Sequence, residues 1–199
     1  MGGACILAQS IMSAPLDKSY VGKDAKWLAH IDMEALLQAS FAELAVGKLK
    51  EEIAANNESA ISVDVDMVLA EIKSITAYGE RIGENHELDG VLMVQTGDRF
   101  QTIVDGLIAH QELQSDGEFD MKRLDDKPFV SYLLEGELYV TFPRKDLLIA
   151  SKQFDRIEAA YEVVSGGAEN LTAASDSLLL NDDDNFFFVA TATGLDQFK

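Results

Sequence analysis

From Lys26 to Ile31 the chain alternates. Trp27, Ala29 and Ile31 fall on one side of an extended backbone, and Leu28, His30 and Asp32 on the other. The period of two predicts a strand. Asp32 then suits a helix N-cap, with Glu34 in the first turn facing the positive end of the helix dipole. Leu37, Phe41, Leu44, Leu49 and Ile53 line one broad side of the helix that follows, which fades at Asn56-Asn57. A shorter helix capped by Asp64 carries Val65, Val68, Leu69 and Ile72. Ile75 to Arg81 returns to strand. After the polar break Gly83–Glu87, Val91-Leu92-Met93-Val94 is apolar at every position, as a central strand buried on both faces would be.

Asp98-Arg99-Phe100-Gln101 reads as a capping box ahead of Phe100, Ile103, Val104, Leu107 and Ile108, which hold helical spacing. From Phe119 the pattern becomes antiparallel β. Phe129–Leu134 and Leu138–Phe142 flank Glu135-Gly136-Glu137, where Gly136 can take a positive φ. A second turn at Pro143–Asp146 leads into Leu147–Ala150. Ser151 is placed to cap a helix bearing Phe154, Ile157, Tyr161 and Val164, stopped by Gly166-Gly167. Residues 168–177 are small and polar, and Phe186–Thr193 forms a last strand. Through residue 124 the order is β-α-β-β-α-β. The fold class expected is therefore α+β: a ferredoxin-like core in an antiparallel sheet, helices on one face, extended by a β-meander and helix.

With 199 residues the chain suits one domain. Residues 25–199 are read as that domain and 1–24 as a leader. Sixteen Lys and Arg against thirty-five Asp and Glu leave a net charge of −19. That field repels phosphate backbones and anionic lipid surfaces, so no nucleic-acid partner is expected. It favours solubility and draws cations or a basic partner. Cys5 stands alone, so no intrachain disulfide forms.

Residues 1–14 are small and apolar with no charged side chain, and the first charge is Asp17. The stretch reads as the end of a secretory signal, with Ala8, Ser10, Ser13 and Ala14 near a cut, although the basic start is missing. Gly2-Gly3-Ala4-Cys5 only faintly matches an acylation site. No run of 18 apolar residues occurs elsewhere, so no membrane span is expected.

Candidate chemistry is sparse. His30, His86 and His110 share no i, i+4 spacing and fall on a strand, a loop and a helix end. His110 near a helix C-terminus suits the dipole. No Gly-x-Ser-x-Gly is present. Asp125-Asp126 reads as a turn, and thirty-five acids offer no way to nominate an acid–base pair. Asp182, Asp183 and Asp184, between Asn181 and Asn185, are candidate Ca²⁺ ligands, but the run lacks EF-hand spacing and reads better as an exposed turn. Gly2-Gly3 and Gly166-Gly167 match no phosphate loop. No catalytic residue and no cofactor are nominated. Phe186, Phe187 and Phe188 are the interaction candidates: alternating faces set Phe187 against its neighbours, so either both faces are covered or one set is a sticky patch.

Lys26–Asp32 before Met33-Glu34-Ala35-Leu36, and Phe186–Thr193 before Gly194-Leu195, are both aromatic-led apolar strands. Residues 186–199 therefore read as a closing strand or as the opening of a second repeat.

The run Ala25–Leu36, the strand Ile75-Thr76-Ala77-Tyr78-Gly79, Gly90–Gly97, and the block from Tyr139 to Gly167 resemble, in order and spacing, a family of exported bacterial proteins of planctomycete and verrucomicrobial type, often with two similar halves. The resemblance covers about residues 25–193. It implies a periplasmic or envelope setting and supplies no activity. The function expected is a non-enzymatic exported binding or scaffolding domain. The alternatives are a carboxylate- or cation-dependent hydrolase, and a self-assembling subunit.

Overall fold

The computed structural model describes residues 14–40, 42, 44, 46–48, 50–51, 65–82, 88–114, 121–125, 128–173, 178 and 187–193. The strands are β1 (Trp27–Asp32), β2 (Ile72–Ile82), β3 (Leu88–Thr96), β4 (Met121–Leu124), β5 (Ser131–Leu134), β6 (Leu138–Arg144), β7 (Leu147–Ser151) and β8 (Phe188–Ala192). The helices are α1 (Met33–Gln38), α2 (Val65–Glu71), α3 (Phe100–Gln114) and α4 (Phe154–Ser165). The eight strands form one sheet in the order β4-β5-β6-β7-β3-β2-β1-β8. Every pairing is antiparallel.

The α+β class and the antiparallel sheet are as the patterns predict; the strand order is not the ferredoxin-like one. In a split β-α-β unit a helix joins two parallel strands with a third inserted between them. Here β1 pairs directly with β2, antiparallel, from Trp27 opposite Gly79 to Asp32 opposite Ser74. The connection holds α1, further helical residues between 42 and 51, and α2. It is not bound to a single crossover, so β2 returns beside β1. After β3, α3 carries the chain to the far edge, and β4 to β7 meander back until β7 pairs with β3.

Register assigns the faces. Leu28, Tyr78, Val91, Met93, Leu147 and Ile149 belong to the buried cluster on the face covered by α4 and by residues 16–25. Leu28, Leu147, Ile149 and Ile157 are at most 1% exposed, each stabilising the fold by about 2 kcal/mol. Val21 is fully buried in the same cluster, so residues 14–24, expected to be leader, are part of the packed body. The opposite face carries Trp27, Ile31, Ala77, Leu92, Val94, Val140 and Phe188; on it Leu92 and Phe188 are 40% and 49% exposed.

Local chemistry explains the ends of the elements. Asp32 caps α1 as expected, its Oδ1 accepting the Ala35 N–H at 2.9 Å. The first helix does not run unbroken: Ala39 is extended, and the described residues 42, 44, 46–48, 50 and 51 are again helical. Of its expected apolar stripe, Leu37 and Leu44 are exposed, while 41, 49 and 53 lie outside the described residues. Ser151 is not the cap of α4. Gln153 takes that position without a side-chain bond, and the Ser151 hydroxyl donates to Gly90 O at 2.8 Å, tying β7 to β3. Gly166, at φ 79°, closes α4 as expected, with the Gly167 N–H reaching back to Glu162 O at 2.8 Å. At the β5–β6 turn both Glu135 and Gly136 have positive φ. Phe129 stacks on Tyr161 with centroids 4.1 Å apart, and Tyr139 meets Phe154 edge-on at 5.5 Å, pinning α4 to the meander.

Candidate functional site

Small side chains leave a cleft where α4 crosses the β2–β3 hairpin. Gly22, Ala159, Ala160 and Ala168 line it, and its volume is about 300 Å³. Tyr78, Val91, Ala160 and Val163 give it an apolar floor, and Lys23, Asp24, Glu80, Arg156, Glu162 and Glu169 bring charge to its walls.

The bulge in the hairpin shapes the cleft. Between Tyr78–Val91 and Arg81–Asp89 the register slips by one residue, setting Gly79-Glu80 against Gly90. Trp27 lies over this point, its Nε1–H donating to Arg81 O at 3.0 Å. Glu80 and Asp89 both reach Arg156 on α4. The guanidinium forks onto Asp89, with Nε–Oδ1 3.1 Å and Nη2–Oδ2 2.8 Å, and its Nη1 meets Glu80 Oε2 at 2.9 Å. The Arg156 side chain is only 14% exposed, so these two carboxylates compensate the cost of burying its charge. Across the cleft Lys23 pairs with Glu169. That hydrogen bond raises the ammonium's pKa and lowers the carboxyl's. Burial pushes the Tyr78 phenol up to about 12, so it stays protonated at neutral pH.

His30 is a satisfied core histidine. It is 2% exposed, with Nε2 3.2 Å from Ala14 O and Nδ1 2.8 Å from Thr76 Oγ1. A carbonyl only accepts, so Nε2 carries the proton and Nδ1 accepts from the Thr76 hydroxyl. Asp32, equally buried, accepts the Ala14 N–H at 2.9 Å. Together they clasp residue 14 to the sheet. Burial lowers the His30 pKa, against the opposing pulls of Ala14 and Asp32. Below the ordinary value of 6.5 the unfolded chain takes a proton that the folded chain refuses, so stability falls with acidification until His30's own folded value is reached. Between about pH 7.5 and pH 5.5 the parent is expected to lose more stability than His30→Gln, by at most about 1.4 kcal/mol per pH unit. Urea unfolding at both pH values checks this; equal losses would remove His30 as the cause.

Of the other candidates, His86, Cys5, Asp182, Asp183, Asp184 and Phe186 lie outside the described residues, and His110 falls within α3. Asp125 pairs with Arg123 at 2.8 Å. Among the described residues no three His, Cys, Asp or Glu converge as a metal site would require. No helix of the described residues is long and apolar enough to cross a membrane. Phe188 opens β8 at the sheet edge and Phe187 lies just before it, 49% and 37% exposed. Sequence reasoning missed Arg156, Glu80, Asp89, Lys23 and Glu169. A usable signal was present: Tyr-Gly-Glu at 78–80 and Asp-Gly at 89–90 put a glycine beside an acid on consecutive strands.

No protein-family model matches the chain, and no curated protein matches it. Two solved chains are similar in structure. Crystal form III of TP0453 is 12% identical with a TM-score of 0.47, over 78% of this chain and 53% of that one. Crystal form IV of TP0453 is 14% identical with a TM-score of 0.43, over 77% and 53%. The chain thus spans about half the length of the solved chains it matches.

Proposed function

We propose that this is a non-enzymatic domain of the bacterial cell envelope that binds a small ligand in the cleft between α4 and the β2–β3 hairpin. One observation carries the reading: the cleft joins an apolar floor to charged walls whose two cations are already engaged by carboxylates. Groups locked in ion pairs suit holding and orienting a ligand, as binding pockets do with a few placed polar groups. They do not suit passing protons, which requires a group free to change charge. The envelope setting is supported by the small apolar residues 1–14 read as a secretory signal and by the resemblance to exported bacterial proteins. The hydrolase alternative would draw on Asp182–Asp184 or on the cleft carboxylates, of which Glu80 and Glu169 are already held in ion pairs.

The test is ligand-detected NMR with a library of small cationic, anionic and neutral compounds, on the parent and on Ala159→Trp. Ala159 is an exposed helix residue at the cleft wall, so the indole fills the mouth without entering the core. At least one class is expected to saturate the parent, to fail on the variant, and to be recovered unchanged. Turnover of a bound compound, or no binding in any class, would sink the reading.

A second reading, self-association, is favoured by β8. It is the edge strand beyond β1, and Phe188 is half exposed on it. An apolar edge of this kind templates pairing with another strand. Light scattering across a hundredfold concentration range, about 5 to 500 μM, is expected to show growth in mass for the parent and none for Phe188→Lys. A parent that stays monomeric throughout removes this reading.

A further inference from the structure

We propose that the ligand of this cleft is a primary ammonium ion on a short aliphatic body, such as a small diamine; this deepens the binding reading above and rests on it. The lining holds two cations, Lys23 and Arg156, and four carboxylates, Asp24, Glu80, Glu162 and Glu169, so its charge is 2 − 4 = −2. Both cations are charge-paired. Arg156 is forked by Asp89 and bridged to Glu80, and Lys23 is tied to Glu169. An anion entering the cleft would meet this excess of carboxylates, with each cation's charge already balanced by a partner. A cation breaks nothing. Among the described residues the Asp24 and Glu162 side chains make no hydrogen bond, although the Asp24 charge also acts on Lys23, and both are exposed at the wall, available to accept from an –NH₃⁺ group, which has three donors and no acceptor.

The floor selects the rest of the ligand. Tyr78, Val91, Ala160 and Val163 offer hydrocarbon where a bare metal ion would want converging oxygens, and a chain of a few methylenes fits against them. At about 300 Å³ the space lies at the lower end of small-molecule sites. The net charge of −19 raises the local concentration of cations around the whole domain, which speeds capture and makes binding sensitive to salt.

The experiment is calorimetric titration of the full chain at low salt with 1,4-diaminobutane, against 1-butanol and acetate as neutral and anionic controls. The diamine is expected to bind, with butanol and acetate at least about tenfold weaker. The double variant Asp24→Asn/Glu162→Gln is expected to weaken the diamine at least about tenfold, with its unfolding midpoint unchanged because both side chains are exposed. Ala159→Trp is expected to abolish binding. Equal affinity for butanol, or a diamine indifferent to the double variant, overturns the proposal. If the diamine fails while another library compound saturates the parent but not Ala159→Trp, the ammonium assignment falls and the binding reading stands; if nothing binds, both fall.

Discussion

Gly90→Ala is expected to cost more than about 3 kcal/mol, enough to unfold much of a domain of ordinary marginal stability. A Cβ at residue 90 would sit 2.2 Å from Tyr78 O and 2.7 Å from Trp27 Cζ2. At residue 79 it would sit 2.0 Å from Asp89 O and 2.7 Å from Trp27 Nε1. The obstacle in each case is backbone, which cannot swing aside as a flexible side chain can. Relief would require β2 and β3 to part at the bulge, losing ladder bonds and the Trp27 contact at once. The control is Gly106→Ala in α3, where a Cβ meets nothing within 4 Å. There the change is expected to stabilise by about 0.5–1 kcal/mol through helix propensity. Urea unfolding of the three proteins decides. A Gly90→Ala domain as stable as its parent would mean that the hairpin does not close up under Trp27.

Ile157→Ala is expected to cost about 3–4 kcal/mol. Ile157 is fully buried in the cluster formed with Leu28, Met93, Leu147 and Ile149, so truncation loses transfer energy and leaves a void that the sheet cannot collapse to fill. The neighbouring Glu158 is exposed on the same helix, and Glu158→Ala is expected to stay within about 0.5 kcal/mol. The midpoint in urea should shift for Ile157→Ala with the slope unchanged. A loss below about 1 kcal/mol would show that α4 is not seated on the sheet. Since α4 forms one wall of the cleft, seating it and shaping the site are one packing problem.

Much of the secondary structure was legible because its signals are local. Alternation at residues 26–31 marked β1, the continuous run 91–94 marked a strand central in the sheet, and Gly136 and Gly166 marked a turn and a helix end at positions of positive φ. Misreadings arose where a local group had a distant partner. Ser151 has the residue type of an N-cap, but its hydroxyl is drawn to Gly90, sixty-one residues earlier. His30 and Asp32 share one side of β1 with Leu28, yet both are buried, because their polar atoms are satisfied by Ala14 together with Thr76 and the Ala35 N–H. Periodicity identifies two faces without saying how many will be covered.

Residue order alone determined that this chain makes strands and amphipathic helices, that its surface is strongly negative, and roughly where each element starts and stops. These follow from side-chain size, branching and charge within a few neighbours along the backbone. Tertiary structure alone decided that β2 lies beside β1, that β7 returns to β3, and that Lys23, Glu80, Asp89, Arg156 and Glu169 meet around one cleft. Those choices compare the burial and pairing of segments more than forty residues apart, and no local window along the chain contains both sides of that comparison.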